Sequence, residues 1–97
     1  MGVDWSHRGE YTASRHGVSV DAANEALADP VAVVADPDYA SVSGRSVRTI
    51  GWSTSARRLL TIITVTEDGV VHGVNGWPSN DADTRRYEAE NRTGDQQ

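Results

Sequence analysis

Arg15-His16-Gly17-Val18-Ser19 is the stretch on which the fold turns. Gly17 suits the left-handed backbone position just past a helix C-terminus, where a Cβ would clash. Arg15 and His16 fall in the turn before it, where a helix dipole is negative and favours cations. Ser19 then offers a hydroxyl to the free amides of a following helix, and Val18 is placed to pack back on its first turns. The pentapeptide therefore predicts a tight corner between two helices.

On either side of it, Val3-Asp4-Trp5 reads as a short first strand or a hydrophobic anchor, and Ser6 to His16 as a polar helix weakened by Gly9. The second helix is expected from about Val20 to Ala28, with Ala23, Ala26 and Leu27 on one face, ending at Asp29-Pro30. Val31 to Val34 is a plausible strand, closed by Pro37. Ser46 to Ser53 alternates, with Arg48, Ile50 and Trp52 on one face and Val47, Thr49 and Gly51 on the other. Thr54-Ser55-Ala56 turns the chain. Leu59 to Thr66 is β-branched and apolar on both faces, as a central strand should be. Asp68-Gly69 predicts a hairpin, Val70 to Trp77 the last strand, and Asn80 the cap of a closing helix to about Glu90. Thr93 to Gln97 is expected to fray. The fold class is α+β: two N-terminal helices, an antiparallel meander of three to four strands and a C-terminal helix. Residues 1–97 form one domain, with its core over about 3–90.

Composition narrows the function. With 37% hydrophobic residues and no Phe, the core must come from Val, Ile, Leu and three Trp. There is no Cys, which excludes disulfides and thiolate metal sites, and three scattered His give no metal spacing. No apolar run approaches the ~20 residues of a membrane span, and no signal peptide opens the chain, so the cytoplasm is the expected compartment. A net charge of −5 argues against non-specific coating of nucleic acid. Every basic side chain except His is Arg, which grips phosphate in a fork; high-GC codon usage produces the same bias.

In their order, these signals resemble the BrnT family of bacterial type II toxins. The shared segments are Val3-Asp4-Trp5, Arg15-His16-Gly17-Val18-Ser19, Asp29-Pro30, Ile50-Gly51-Trp52-Ser53, Arg58-Leu59-Leu60 and Arg85-Arg86-Tyr87, covering roughly residues 3 to 90. The resemblance implies a compact RelE-like fold and a metal-independent, cofactor-free endoribonuclease. It also implies neutralisation by a small DNA-binding antitoxin, in a heterotetramer that reaches operator DNA only through the antitoxin. The chain departs from the family where Asn75-Gly76-Trp77 replaces Ser-Ala-Arg, where Asp83-Thr84 replaces Glu-Arg, and in being acidic. His72 takes the place of a basic residue earlier in the same strand.

A ribonuclease of this kind needs a proton acceptor, a donor for the leaving oxygen, and positive charge on the phosphorane. His72 is the candidate acid–base group, Arg85 and Arg86 the candidate phosphate ligands, and Tyr87 an orienting or proton-donating group. Arg57 and Arg58 would extend the basic patch to bind RNA, and Trp77 would offer its face to an unstacked base. Each has a plainer reading. His72 would then be a cross-strand neighbour, and Arg57 and Arg58 a solvated strand start. Arg85 and Arg86 would pair with Asp81, Asp83 or Glu90, and only one of the two can face a given site. Tyr87 and Trp77 would be core, and Asp36, Asp38 and Asp68 turn residues. The alternative function is a catalytically inactive protein-binding or corepressor module on the same fold.

Overall fold

The computed structural model describes residues 3–5, 17–41 and 43–95. They form an α+β fold built on a four-stranded antiparallel sheet. Helix α1 (Val20–Leu27) precedes strands β1 (Val33–Ala35), β2 (Ser46–Ser53), β3 (Arg58–Glu67) and β4 (Val70–Pro78), and helix α2 (Asp81–Asp95) follows. Spatial order equals chain order, so the sheet is a pure meander. The helix expected over Ser6 to His16 lies outside the described residues; among those described, one helix precedes the sheet.

Local chemistry explains the boundaries. Gly17 has φ +70°. The Ser19 hydroxyl accepts from the Ala22 amide at 3.0 Å and caps α1, while Val18 is buried against the helix it precedes. Ala28 is the C-cap and not the last helical residue. Asp68 and Gly69 both have positive φ, as a two-residue hairpin between β3 and β4 requires. Asn80 caps α2, its side chain accepting from the Asp83 amide at 2.9 Å. Two expectations are corrected. β1 starts two residues later than expected, because the Asp29 carboxylate folds back to the Val31 amide and holds Pro30 and Val31 in a turn. Helix α2 continues past Glu90 to Asp95, so the expected frayed tail is helical through Asp95. Of the two forms expected for Val3-Asp4-Trp5, the structure shows the anchor: Trp5 is buried in the core, and the segment joins the sheet by a single parallel bridge from Asp4 to His72 on β4.

The two helices lie on opposite faces of the sheet. On the α1 side, Gly51 approaches the helix so closely that a Cβ there would lie 2.8 Å from the Ala26 carbonyl carbon. Leu60 and Ile62 of the central strand are fully buried on this face beneath Ala22, Ala23, Ala26 and Trp5. Burial of each of these two side chains is worth roughly 1.5–3 kcal/mol. Trp5 donates its indole N–H to Asn24 at 3.0 Å and lays its ring over Gly73, where a Cβ would sit 2.5 Å from the indole. The opposite face carries Arg48, Ile50, Thr61 and Trp77, reached by α2 through Asp83. A β-bulge between Ile63 and Thr64 shifts the β3–β4 register and leaves Val74 unpaired.

Candidate functional site

The β2–β3 turn sets up the first feature of interest. Thr54 to Arg57 close the hairpin, with the Arg57 amide donating to the Ser53 carbonyl at 2.8 Å. Arg57 sits at φ +57°, a left-handed conformation that costs an L-residue roughly 1–2 kcal/mol. This turn and the strand start beside it carry Arg57 and Arg58 to the wall of an open depression of about 450 Å³. Trp52 on β2 lines the same depression, as do Ser79 after β4 and Thr84 and Glu88 on α2. Its remaining walls are the apolar side chains of Leu59 and Pro78. Trp52 is 46% exposed, a large indole face left open to solvent. Among the described residues, Arg57, Arg58 and Glu88 have no ion-pair partner. Two arginines and a glutamate lining one hollow with an exposed indole form an arrangement suited to a phosphate, a base and a proton transfer.

A second feature lies beneath the first turn of α2. Arg48 points from the middle of β2 toward the helix and is buried, its Nε 2.8 Å from Asp38 Oδ1 and its Nη1 2.7 Å from Asp83 Oδ2. The Arg48 guanidinium also lies 4.4 Å from the Tyr39 ring centre and 5.6 Å from that of Trp77. Asp83 is fully buried and accepts further hydrogen bonds from the Tyr39 and Thr61 hydroxyls. Burial raises the Asp83 carboxyl, but the hydrogen bonds of Tyr39, Thr61 and Arg48 and the Arg48 charge outweigh it and hold the group below the ordinary value. The centre is closed on itself, with its positive charge spent on two carboxylates. It fixes α2 and the 36–41 segment to the sheet.

These facts place the sequence-predicted residues. Arg57 and Arg58 line one depression together, and the indole they share it with is Trp52. Trp77 is half-buried and stands over Arg48. Arg86 leans on the Tyr39 ring at 4.2 Å and lies 3.7 Å from Asp83, while Arg85 is exposed on the adjacent helical direction. Tyr87 donates to Asp29 at 2.6 Å; burial, that hydrogen bond and the Asp29 charge push its hydroxyl up to about 12. A phenol in that state is a structural strut that gives up its proton only in strong alkali.

His72 stands apart from the other candidates. It pairs with Val65, whereas Thr61 touches Asp83 and Leu59 lines the depression. Val65 is four residues along β3 from Thr61 and six from Leu59, or roughly 13 Å and 20 Å of strand. There His72 Nδ1 lies 3.5 Å from Asp4, at the bridge that holds the N-terminal segment on β4.

Sequence reasoning missed Trp52, Glu88, Arg48 and Asp83. The Arg48 signal was available: a charge on the same strand face as Ile50 must find a buried partner. Asp38 looked like a turn residue and Asp83 like a helix N-terminal charge, since nothing local in sequence links them to a strand residue ten and thirty-five positions away. Among the described residues, no helix is long and apolar enough to cross a membrane, and no group of acidic or His side chains could hold a metal ion. No protein-family model matches this chain, and no curated protein matches it.

Proposed function

We propose that this chain is the toxin of a type II toxin–antitoxin pair, a metal-independent endoribonuclease on a BrnT-like scaffold. Single-stranded RNA enters at the depression of Trp52, Arg57 and Arg58. The observation that carries the reading is this pocket: Arg57 and Arg58, with no ion-pair partner among the described residues, line it together with an open indole, on a protein whose net charge is −5. Guanidinium forks hold phosphate in charge-assisted hydrogen bonds, and an indole face stacks any base. The order of motifs shared with the BrnT family supports the reaction class, and an expected fold with a second N-terminal helix belongs to the same reading. No cofactor is called for, and the cytoplasm supplies the RNA. A basic, DNA-binding antitoxin would be drawn to the acidic surface and would carry the complex to its operator.

Two assays test this. Induced expression should arrest bacterial growth, and an Arg57→Ala/Arg58→Ala variant that folds normally should relieve the arrest. Purified protein should cleave unstructured RNA in the presence of EDTA. A wild-type chain that neither arrests growth nor cleaves RNA would refute the nuclease reading.

A second reading has its own support. With His72 remote from Arg86 and Arg48 neutralised by two carboxylates, a non-catalytic module that binds a partner protein fits the same scaffold. Binding of a partner by a non-toxic wild type would favour it.

A further inference from the structure

We infer that Glu88 is the general base of the reaction, acting in the depression of Trp52, Arg57 and Arg58; this rests on the ribonuclease reading above. Attack on phosphorus needs a group that takes the 2′-hydroxyl proton within hydrogen-bond reach of a held phosphodiester. Of the residues around the depression, two are arginines, whose guanidiniums do not release a proton in proteins. Leu59, Pro78 and Trp52 offer no acceptor for a proton. The Ser79 hydroxyl is engaged with Thr61 at 2.8 Å, and Thr84 is an alcohol. Glu88 is the one carboxylate, exposed and without an ion-pair partner among the described residues. It stands on α2 one turn beyond Thr84, so both present to the same side of the helix. The helix and the β2–β3 turn thus bring a carboxylate-bearing residue and two arginines to the wall of one hollow. His72, roughly 20 Å of strand away, has no part in it.

The step balances without an outside reagent. Glu88 takes the proton from the 2′-hydroxyl, the 2′-oxygen bonds to phosphorus, and the phosphorus–O5′ bond breaks. Arg57 and Arg58 hold the charge on the equatorial oxygens. The 5′-oxygen leaves with a proton from water at the open rim, and the hydroxide so formed removes the proton from Glu88. The products are a 2′,3′-cyclic phosphate and a 5′-hydroxyl.

The test uses the full chain and a 5′-labelled, mixed-sequence unstructured RNA, with its 2′-O-methyl counterpart as the binding probe. Glu88→Gln should lower kcat by about 10²–10⁴ with KM and 2′-O-methyl RNA affinity within threefold of wild type. Glu88→Asp, which keeps a carboxylate on a shorter stem, should recover part of the lost rate. Wild-type products should end in 2′,3′-cyclic phosphate. Cleavage by Glu88→Gln within threefold of an active wild type overturns the assignment and leaves the nuclease reading standing. Products ending in 3′-hydroxyl and 5′-phosphate also overturn it, since they require attack by water. A wild type that leaves the RNA intact overturns both.

Discussion

Arg48 on the second strand and Asp83 in the first turn of the closing helix meet at 2.7 Å with both side chains shut away from solvent. The contact spans thirty-five residues and joins the sheet to an element that touches it lightly elsewhere. A buried ion pair is no net source of stability by itself, since desolvation consumes much of the attraction. Breaking one partner is another matter.

Asp83→Ala leaves Arg48 buried with Asp38 alone and strips an acceptor from Tyr39 and Thr61. The expected loss is about 3–5 kcal/mol. A urea denaturation midpoint that falls with unchanged slope checks it. The same carboxyl sets the acid limit. Its folded-state value lies below the ordinary one, so its contribution is present above about pH 4 and disappears as pH falls through the depressed value. Stability followed against pH should drop below pH 4 in the wild type, and the drop should be shallower in Asp83→Asn.

Tyr87 gives the alkaline counterpart. Its hydroxyl is raised to about 12, so the stabilisation is intact below about pH 10 and is lost as pH rises through 12. Tyrosinate absorbance should contain a component titrating near pH 12, and Tyr87→Phe should remove it. Persistence of that component in the variant would assign it elsewhere.

Arg57 separates stability from binding. Its left-handed backbone costs an arginine roughly 1–2 kcal/mol, while glycine escapes that cost but surrenders roughly 0.5–1 kcal/mol of chain entropy. Arg57→Gly should therefore hold or slightly raise the melting temperature. RNA affinity should fall, and the slope of log affinity against log salt should flatten by about 0.7, one phosphate contact on single-stranded RNA. Trp52→Ala should cost about 1–3 kcal/mol of RNA binding through lost stacking, with little effect on folding because the ring is half exposed.

The fold was legible where the signals are local. Ser19, Asp68-Gly69 and Asn80 each act within a few residues, and the structure gives them the turns and caps that their chemistry predicts. The alternation of Ser46 to Ser53 identified both faces of β2. Legibility failed where the deciding partner is distant. The start of β1 depends on Asp29 gripping Val31, while the other oxygen of that carboxylate serves Trp52 and Tyr87. The polar sequence of α2 does not mark where it ends, and its ties to the rest of the fold run through distant partners: Asp83 to Arg48, Tyr87 to Asp29 and Asn91 to Val31. For the site, Arg57 and Arg58 were visible as a pair, but which aromatic would join them was not. Trp52 and Trp77 share a sheet face in the strand pattern, and the position of α2 leaves the first exposed and sets the second over Arg48.

The indole of Trp5 rests where any substituent on residue 73 would have to go. Positions 5 and 73 therefore make one joint choice, separated by most of the chain's length. In a lineage that keeps this architecture, an alanine at 73 has to be accompanied by a slimmer residue at 5. A library randomised at both sites and selected for folding should return Trp–Gly and small–small pairs while leaving Trp–Ala empty.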